Sequence, residues 1–265
     1  LFRAGGLFFS AERKERKMKD YILEACVDSV ESALAAARGG ATRLELCGNL
    51  IIGGTTPEPG LYEEIRKHSD IRIHALIRPR FGDFCYTDSE FAIIRNAVKT
   101  YKKLGAEGVV IGILKPDGTL NMEQMKILME EAEGMSVTLH RAFDVCADPF
   151  EAMEQAISLG IDTILTSGQQ NNCRLGAELL GQLVEKSAGR IEIQVGSGVD
   201  ADAIKEVYPV TKARAFHMSG KVTLDSEMIY RKEGVSMGLP SLSEYEIWRT
   251  EESKIRAAKE VLETL

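Results

Sequence analysis

Two short segments repeat one pattern, Glu24-Ala25-Cys26 and Glu45-Leu46-Cys47. Along a strand, alternation with period two puts each glutamate and its cysteine on the same face. Neighbouring strands lie about 4.8 Å apart, so the thiols of Cys26 and Cys47 are expected close enough to share one metal ion. Thiolates select soft metals such as Cu(I) or Zn, and Cu(I) accepts few ligands, so two sulfurs can suffice. The competing reading is that both cysteines are small buried hydrophobes, since the chain has no Cys-x-x-Cys and no His-x-x-x-His. The glutamates need partners if they point inward, and Arg78, Arg80 and Arg141 are the expected ones. A glutamate left over, Glu45, could act as a base if burial raises its pKa.

A second set of residues suits anions. In Ile77-Arg78-Pro79-Arg80-Phe81-Gly82 the proline fixes its own φ and extends the residue before it. Arg78 and Arg80 then sit on stiff chain in alternate positions that can face the same way, as a planar carboxylate or phosphate requires. Structural ion pairs are the alternative. His140-Arg141-Ala142-Phe143-Asp144 places an imidazole at a strand end beside a guanidinium and a carboxylate. His140 can serve there as acid/base or metal ligand, and Asp144 can orient it or pair with an arginine. His217 repeats the arrangement more weakly, His74 lies mid-strand as a structural residue, and His68 sits on a helix surface. Gly196-Ser197-Gly198 precedes a helix start, and Ser219-Gly220-Lys221 follows the last strand. Glycine-rich turns there let backbone N–H groups approach an anion.

These residues belong to a regular succession of elements. Strands are expected over 21–27, 42–47, 71–77, 108–112, 136–140, 162–166, 191–195 and 213–217, each followed by a helical segment. A looser arm over 219–243 and a closing helix from about 250 to 265 complete the chain. Asp28 or Ser29, Thr87 or Asp88, Asn121 and Asp148-Pro149 supply helix starts. Eight such units predict an α/β chain folded as a single (β/α)8 barrel, whose chemistry gathers at the C-terminal ends of the strands. An open doubly wound sheet is the runner-up, weakened by the absence of Gly-x-Gly-x-x-Gly after the first strand.

The totals narrow the function classes. The chain has 265 residues, 44% hydrophobic and 28% charged, with net charge -7. That acidity disfavours a non-specific nucleic-acid partner, and no apolar run is long enough for a membrane span. Five cysteines in a chain of this length read as free thiols in a reducing cytoplasm. Residues 1–17 are expected to be a non-native or disorder-prone extension ahead of a start at Met18, with 18–265 as the domain.

Several long motifs, in order, resemble one family. They are Leu23-Glu24-Ala25-Cys26-Val27-Asp28-Ser29-Val30-Glu31-Ser32-Ala33, Arg43-Leu44-Glu45-Leu46-Cys47, Gly53-Gly54-Thr55-Thr56-Pro57, the arginine loop, His140-Arg141-Ala142-Phe143-Asp144 and Leu165-Thr166-Ser167-Gly168. Over about 22–238 the chain resembles the CutC family of copper homeostasis proteins. The resemblance implies one barrel domain, a cytoplasmic protein, copper handling, a homodimer, and Cu(I) held by Cys26 and Cys47. Two functions therefore stand as expectations. One is a Cu(I)-binding barrel that buffers or handles copper. The other is a metal-independent lyase or isomerase acting on a small anionic or phosphorylated molecule. In the second, Arg78, Arg80 and Arg141 clamp the anion, Gly196, Ser197, Gly198 and Ser219 cradle it, and His140 or Glu45 moves a proton beside Arg78.

Overall fold

The computed structural model describes residues 21–239 and 242–265. The expected extension over 1–17 lies outside the described residues. Eight parallel strands close on themselves in sequence order, and β8 pairs with β1. They are β1 Ile22–Val27, β2 Arg43–Leu46, β3 Arg72–Leu76, β4 Gly108–Ile111, β5 Ser136–Leu139, β6 Thr163–Thr166, β7 Glu192–Val195 and β8 Ala215–Met218. The helices between them are α1 Val30–Gly39, α2 Pro59–Arg66, α3 Asp88–Leu104, α4 Met122–Glu131, α5 Pro149–Leu159, α6 Ala177–Ser187 and α7 Ala201–Thr211. The closing helix, α8 Glu252–Leu262, follows a two-stranded antiparallel ribbon of β9 Lys221–Asp225 and β10 Glu246–Thr250. The expected (β/α)8 barrel is the observed one, and the open sheet is excluded by the β8–β1 pairing.

Local chemistry settles the helix starts left open in the sequence. Ser29 caps α1 by accepting from the Ser32 N–H, and Thr87 with Glu90 makes a reciprocal capping box on α3. Asp148 caps α5 just ahead of Pro149 in its first turn. The ribbon is where the loose-arm expectation falls short. Its strands are separated by some twenty residues in the chain, and such a pairing leaves no short-range turn signature.

Strand alternation sorts the side chains into two interiors. Leu23, Ala25, Val27, Leu44 and Leu46 point outward into the large apolar layer under the helices. Cys26, Cys47, Leu76 and Val110 form a small separate cluster on the inner side. Below it the inner positions are polar: Glu24, Arg43, His74, Thr138 and Gln194 are all buried. A barrel interior is more commonly filled by branched apolar layers.

Two inner positions on and just after β4 are glycines, and each faces an imidazole. A Cβ on Gly108 would come 2.6 Å from the His74 ring, and one on Gly112 would come 2.6 Å from the His140 ring. The histidines occupy the volume that side chains at 108 and 112 would fill. Gly108→Ala is therefore expected to cost roughly 1–3 kcal/mol by overpacking, read as a lower urea midpoint, whereas Gly134→Ala meets no nearby atom and loses only what its left-handed backbone demands.

Burial, with the Arg43 guanidinium, pushes His74 down to about 3, so it is neutral in the folded barrel. In the unfolded chain it titrates near its ordinary value, and protons are taken up on unfolding below that value. The stability it contributes is complete above about pH 6.5 and is lost progressively as pH falls toward 3. Between pH 7 and pH 5 the loss is about 2 kcal/mol. Urea titrations across that range should show a shallower decline for His74→Leu than for the natural chain; parallel curves would refute this account.

Candidate functional site at the barrel mouth

The strand ends enclose a cavity of about 520 Å³. β1 to β3 bring Cys26, Glu45 and Arg78 to its wall, and the turn after β5 brings His140 and Arg141. β7 and β8 end in Ser197, Gly198, His217 and Ser219, which also line it. Lys221, Trp248 and Arg249 of the ribbon form one side of the rim. Three predicted residues lie elsewhere. Cys47 is fully buried behind the wall, Gly196 does not line the cavity, and Arg80 turns away from it.

A continuous polar chain crosses the floor. Arg43 Nε donates to Glu24 Oε2, and its Nη2 donates to Gln194 Oε1 at 3.1 Å. Gln194 Nε2 donates to Glu24 Oε1 at 2.8 Å. His217 Nδ1 lies 2.7 Å from the same Glu24 oxygen, and its Nε2 lies 3.7 Å from Glu45 Oε2. Cys47 Sγ donates to Glu45 Oε2 at 3.4 Å. The expected pairing of these glutamates with Arg78, Arg80 and Arg141 is thus corrected. Arg43 and His217 stand directly opposite Glu24 on the two flanking strands, closer than any loop residue can come. The inward parity of Arg43, two residues before Glu45, was the available signal.

The charges follow from this geometry. Burial alone would push the Glu24 carboxyl up, but the Arg43 guanidinium and His217 hold it well below the usual carboxylate range. Burial raises Glu45 despite the neighbouring imidazole, and burial with Glu45 beside it raises the Cys47 thiol far above normal. Burial opposes a charged His217, yet Cys26, Glu45 and Glu24 outweigh it and hold the imidazole well above its ordinary value.

Cys26 Sγ, a Glu45 oxygen and a His217 nitrogen lie within 4.8 Å of one another. That donor set fits a soft or borderline metal: thiolate and imidazole suit copper and zinc. His217 offers Nε2 because Glu24 engages Nδ1, the orientation by a second carboxylate that metal-binding histidines usually have. The metal-ligand expectation placed Cys26 with Cys47. In the structure the two share an inner apolar cluster, while the converging donor atoms are those of Cys26, Glu45 and His217.

The other wall is cationic. Arg78 is buried and reaches only backbone oxygens, those of Gly53, Gly54 and Gly82. Arg80 pairs with Glu90 and Asp83 over the Tyr86 ring, so the two arginines flanking Pro79 do not face the same way. Glu90 draws it because the capping box fixes that carboxylate at the start of α3. Arg141 pairs with Asp144 at 2.6 Å and donates to Ser167 Oγ at 3.1 Å. Asp144 also accepts from Thr166 Oγ1 and the Ser167 N–H, which settles its role as an arginine partner. His140 instead receives the Ala142 N–H on Nδ1 at 3.1 Å. Burial and Arg78 push His140 down to about 3, so the ring is neutral. Ser197 adopts φ 67 and donates through Oγ to the Asn171 carbonyl.

The chain and its closed barrel have counterparts among known proteins. A CutC protein of Bacteroides fragilis is 46% identical over 234 residues, covering 86% of this chain and 92% of that one. A CutC protein of Vibrio cholerae is 43% identical over 227 residues, covering 85% and 89%. The crystal structure of a Streptococcus agalactiae CutC, described provisionally as a copper homeostasis protein, superimposes with TM-score 0.72 at 30% identity. It covers 75% of this chain and 98% of its own. Phosphoribosylanthranilate isomerase of Thermotoga maritima, at 12% identity and TM-score 0.55 over 92% of this chain, shares the fold alone. The model of the CutC family matches residues 21–222, and with these relatives it shows that the chain belongs to the CutC family.

Proposed function

We propose that this protein binds and handles Cu(I) in the cytoplasm, taking the ion between Cys26 Sγ and His217 Nε2 with Glu45 beside them. One observation carries the reading: Glu24 engages His217 Nδ1 at 2.7 Å, which leaves Nε2 as the nitrogen on the side of Cys26 and Glu45. Arg43 and Gln194 in turn fix Glu24. Cys47 supports Glu45 from behind and is not a ligand in this arrangement. Binding displaces the proton that His217 carries, so affinity weakens as pH falls. The homodimer implied by the family resemblance is retained as part of the reading.

A second reading is favoured by the guanidinium of Arg78, which meets no carboxylate among the described residues, in the same cavity as Glu45, whose carboxyl burial pushes above the usual carboxylate range. In that reading the chain is a metal-independent lyase or isomerase, with Arg78 and Arg141 holding an anion and Glu45 or His140 exchanging a proton.

Competition against a Cu(I) chelator separates the ligands. Cys26→Ser and His217→Gln are each expected to weaken Cu(I) binding by about 100-fold, and Glu24→Gln by roughly 10–100-fold through loss of orientation. Cys47→Ser should cost clearly less. Equal losses for the two cysteine variants with no loss for His217→Gln would place the ion between the sulfurs. Unchanged affinity in every variant would end the copper reading at this site.

A further inference from the structure

Buried guanidiniums ordinarily meet carboxylates. Buried Arg43 does so, as do the more exposed Arg80 and Arg141, and Arg78 does not among the described residues. Arg78 is only 8% exposed, and no described carboxylate pairs with it. Its Nη1 donates to the Gly53 and Gly54 carbonyls at 3.4 and 3.1 Å, and its Nη2 to the Gly82 carbonyl at 2.7 Å. A guanidinium has five N–H groups. These contacts leave the Nε–H and one Nη2–H. Nε is buried with no hydrogen-bond partner among the described residues, and the buried Tyr86 hydroxyl beside the guanidinium is likewise unpartnered. Nε and Nη2 bound one edge of the guanidinium fork, an edge a carboxylate can take with two parallel hydrogen bonds.

His140 has the same deficit. Because Nδ1 accepts from the Ala142 N–H, the ring hydrogen sits on Nε2. Nε2 is also buried and unpartnered. Leaving a buried donor unpaired is costly, and here two such donors lie on one cavity wall. One side chain covers both. The Phe84 ring lies 4.9 Å from the Arg78 guanidinium and 4.8 Å from the His140 ring. Phe84 is half-buried and belongs to the loop after β3, two residues beyond Gly82 at φ +101.

We propose that Arg78 and His140 form a binding site for the carboxylate of a small organic acid, beneath the Phe84 ring. The charge selects a monoanion: Arg78 supplies one unpaired positive charge and His140 is neutral, so a phosphate dianion would leave one negative charge uncompensated. Leu76, Leu165 and Trp248 line the same cavity and offer apolar surface to the carbon body of the acid. The volume of about 520 Å³ is that of a small-ligand pocket. This site uses β3 and β5, whereas the copper reading uses β1, β2 and β8, so either can fail alone.

The test uses the full chain with a chelator present, which removes any contribution from metal. Acetate and phenylacetate are the probes, with inorganic phosphate and chloride at matched ionic strength. Nitrogen-15 spectra should show the Arg78 Nε–H and the His140 ring moving with either carboxylate and not with chloride. Arg78→Lys keeps the charge but loses the two-bond fork, and should weaken phenylacetate binding by roughly tenfold. Should that variant not fold, the spectra of the natural chain decide alone. Resonances that stay fixed with both carboxylates, or that respond to phosphate and not to them, would overturn the proposal.

Discussion

The ion pair between Arg43 and Glu24 governs what the barrel mouth can do. An ionised carboxylate inside a closed sheet is tolerated only when paired and fully hydrogen-bonded. Arg43 supplies the charge, and Gln194 and His217 take the remaining acceptor capacity. Once Glu24 is fixed as an anion, it decides which nitrogen of His217 remains available. The other nitrogen of His217 then faces Glu45 and Cys26. Removing Arg43 would leave Glu24 to rely on His217 for its counter-charge, and the order would be loosened at each later step. The pair is therefore better understood as a positioning device than as a source of stability, since buried pairs contribute little net stability against apolar replacements.

That division of labour is possible because strand alternation gives the barrel two interiors. The layer between strands and helices is apolar and carries the burial that holds the fold together. The space inside the strands is small, and the fold does not need it to be greasy. Its lower part is occupied by Glu24, Arg43, His74 and Gln194, and its upper part opens into the cavity. Gly108 and Gly112 show how tightly the inner side is filled, because each gives up a side chain to make room for an imidazole on a neighbouring strand.

The eight-fold alternation of strands and helices, most helix starts and the gathering of polar residues at strand ends are all legible in the amino-acid order, because each depends on short-range patterns. The twin Glu-x-Cys segments also reveal which side chains face inward. What escapes is partner choice. Arg43 sits at the start of a strand and His217 is separated from Glu24 by nearly the whole chain, yet both become register neighbours of Glu24 when the barrel closes. Parity along β2 could have nominated Arg43, whereas nothing local nominates His217. The outward turn of Arg80 follows from the Glu90 capping box, a contact ten residues away that the alternation rule ignores. The ribbon of β9 and β10 is hidden for the same reason: its pairing is not local.

Closure also resolves a conflict of charge. A mouth crowded with guanidiniums repels a metal cation, and a cluster of thiols and carboxylates repels an anion. Two of the three predicted arginines are neutralised locally, Arg80 by Glu90 and Asp83 and Arg141 by Asp144. Among the described residues, Arg78 is the arginine of this wall that meets no carboxylate. The soft donors and their carboxylates come from β1, β2 and β8, which are adjacent because the sheet is closed, and Arg78 and His140 come from the ends of β3 and β5. Opposite demands are thus assigned to different strands. On the readings proposed above, the metal and the anion would each take a different wall of one cavity.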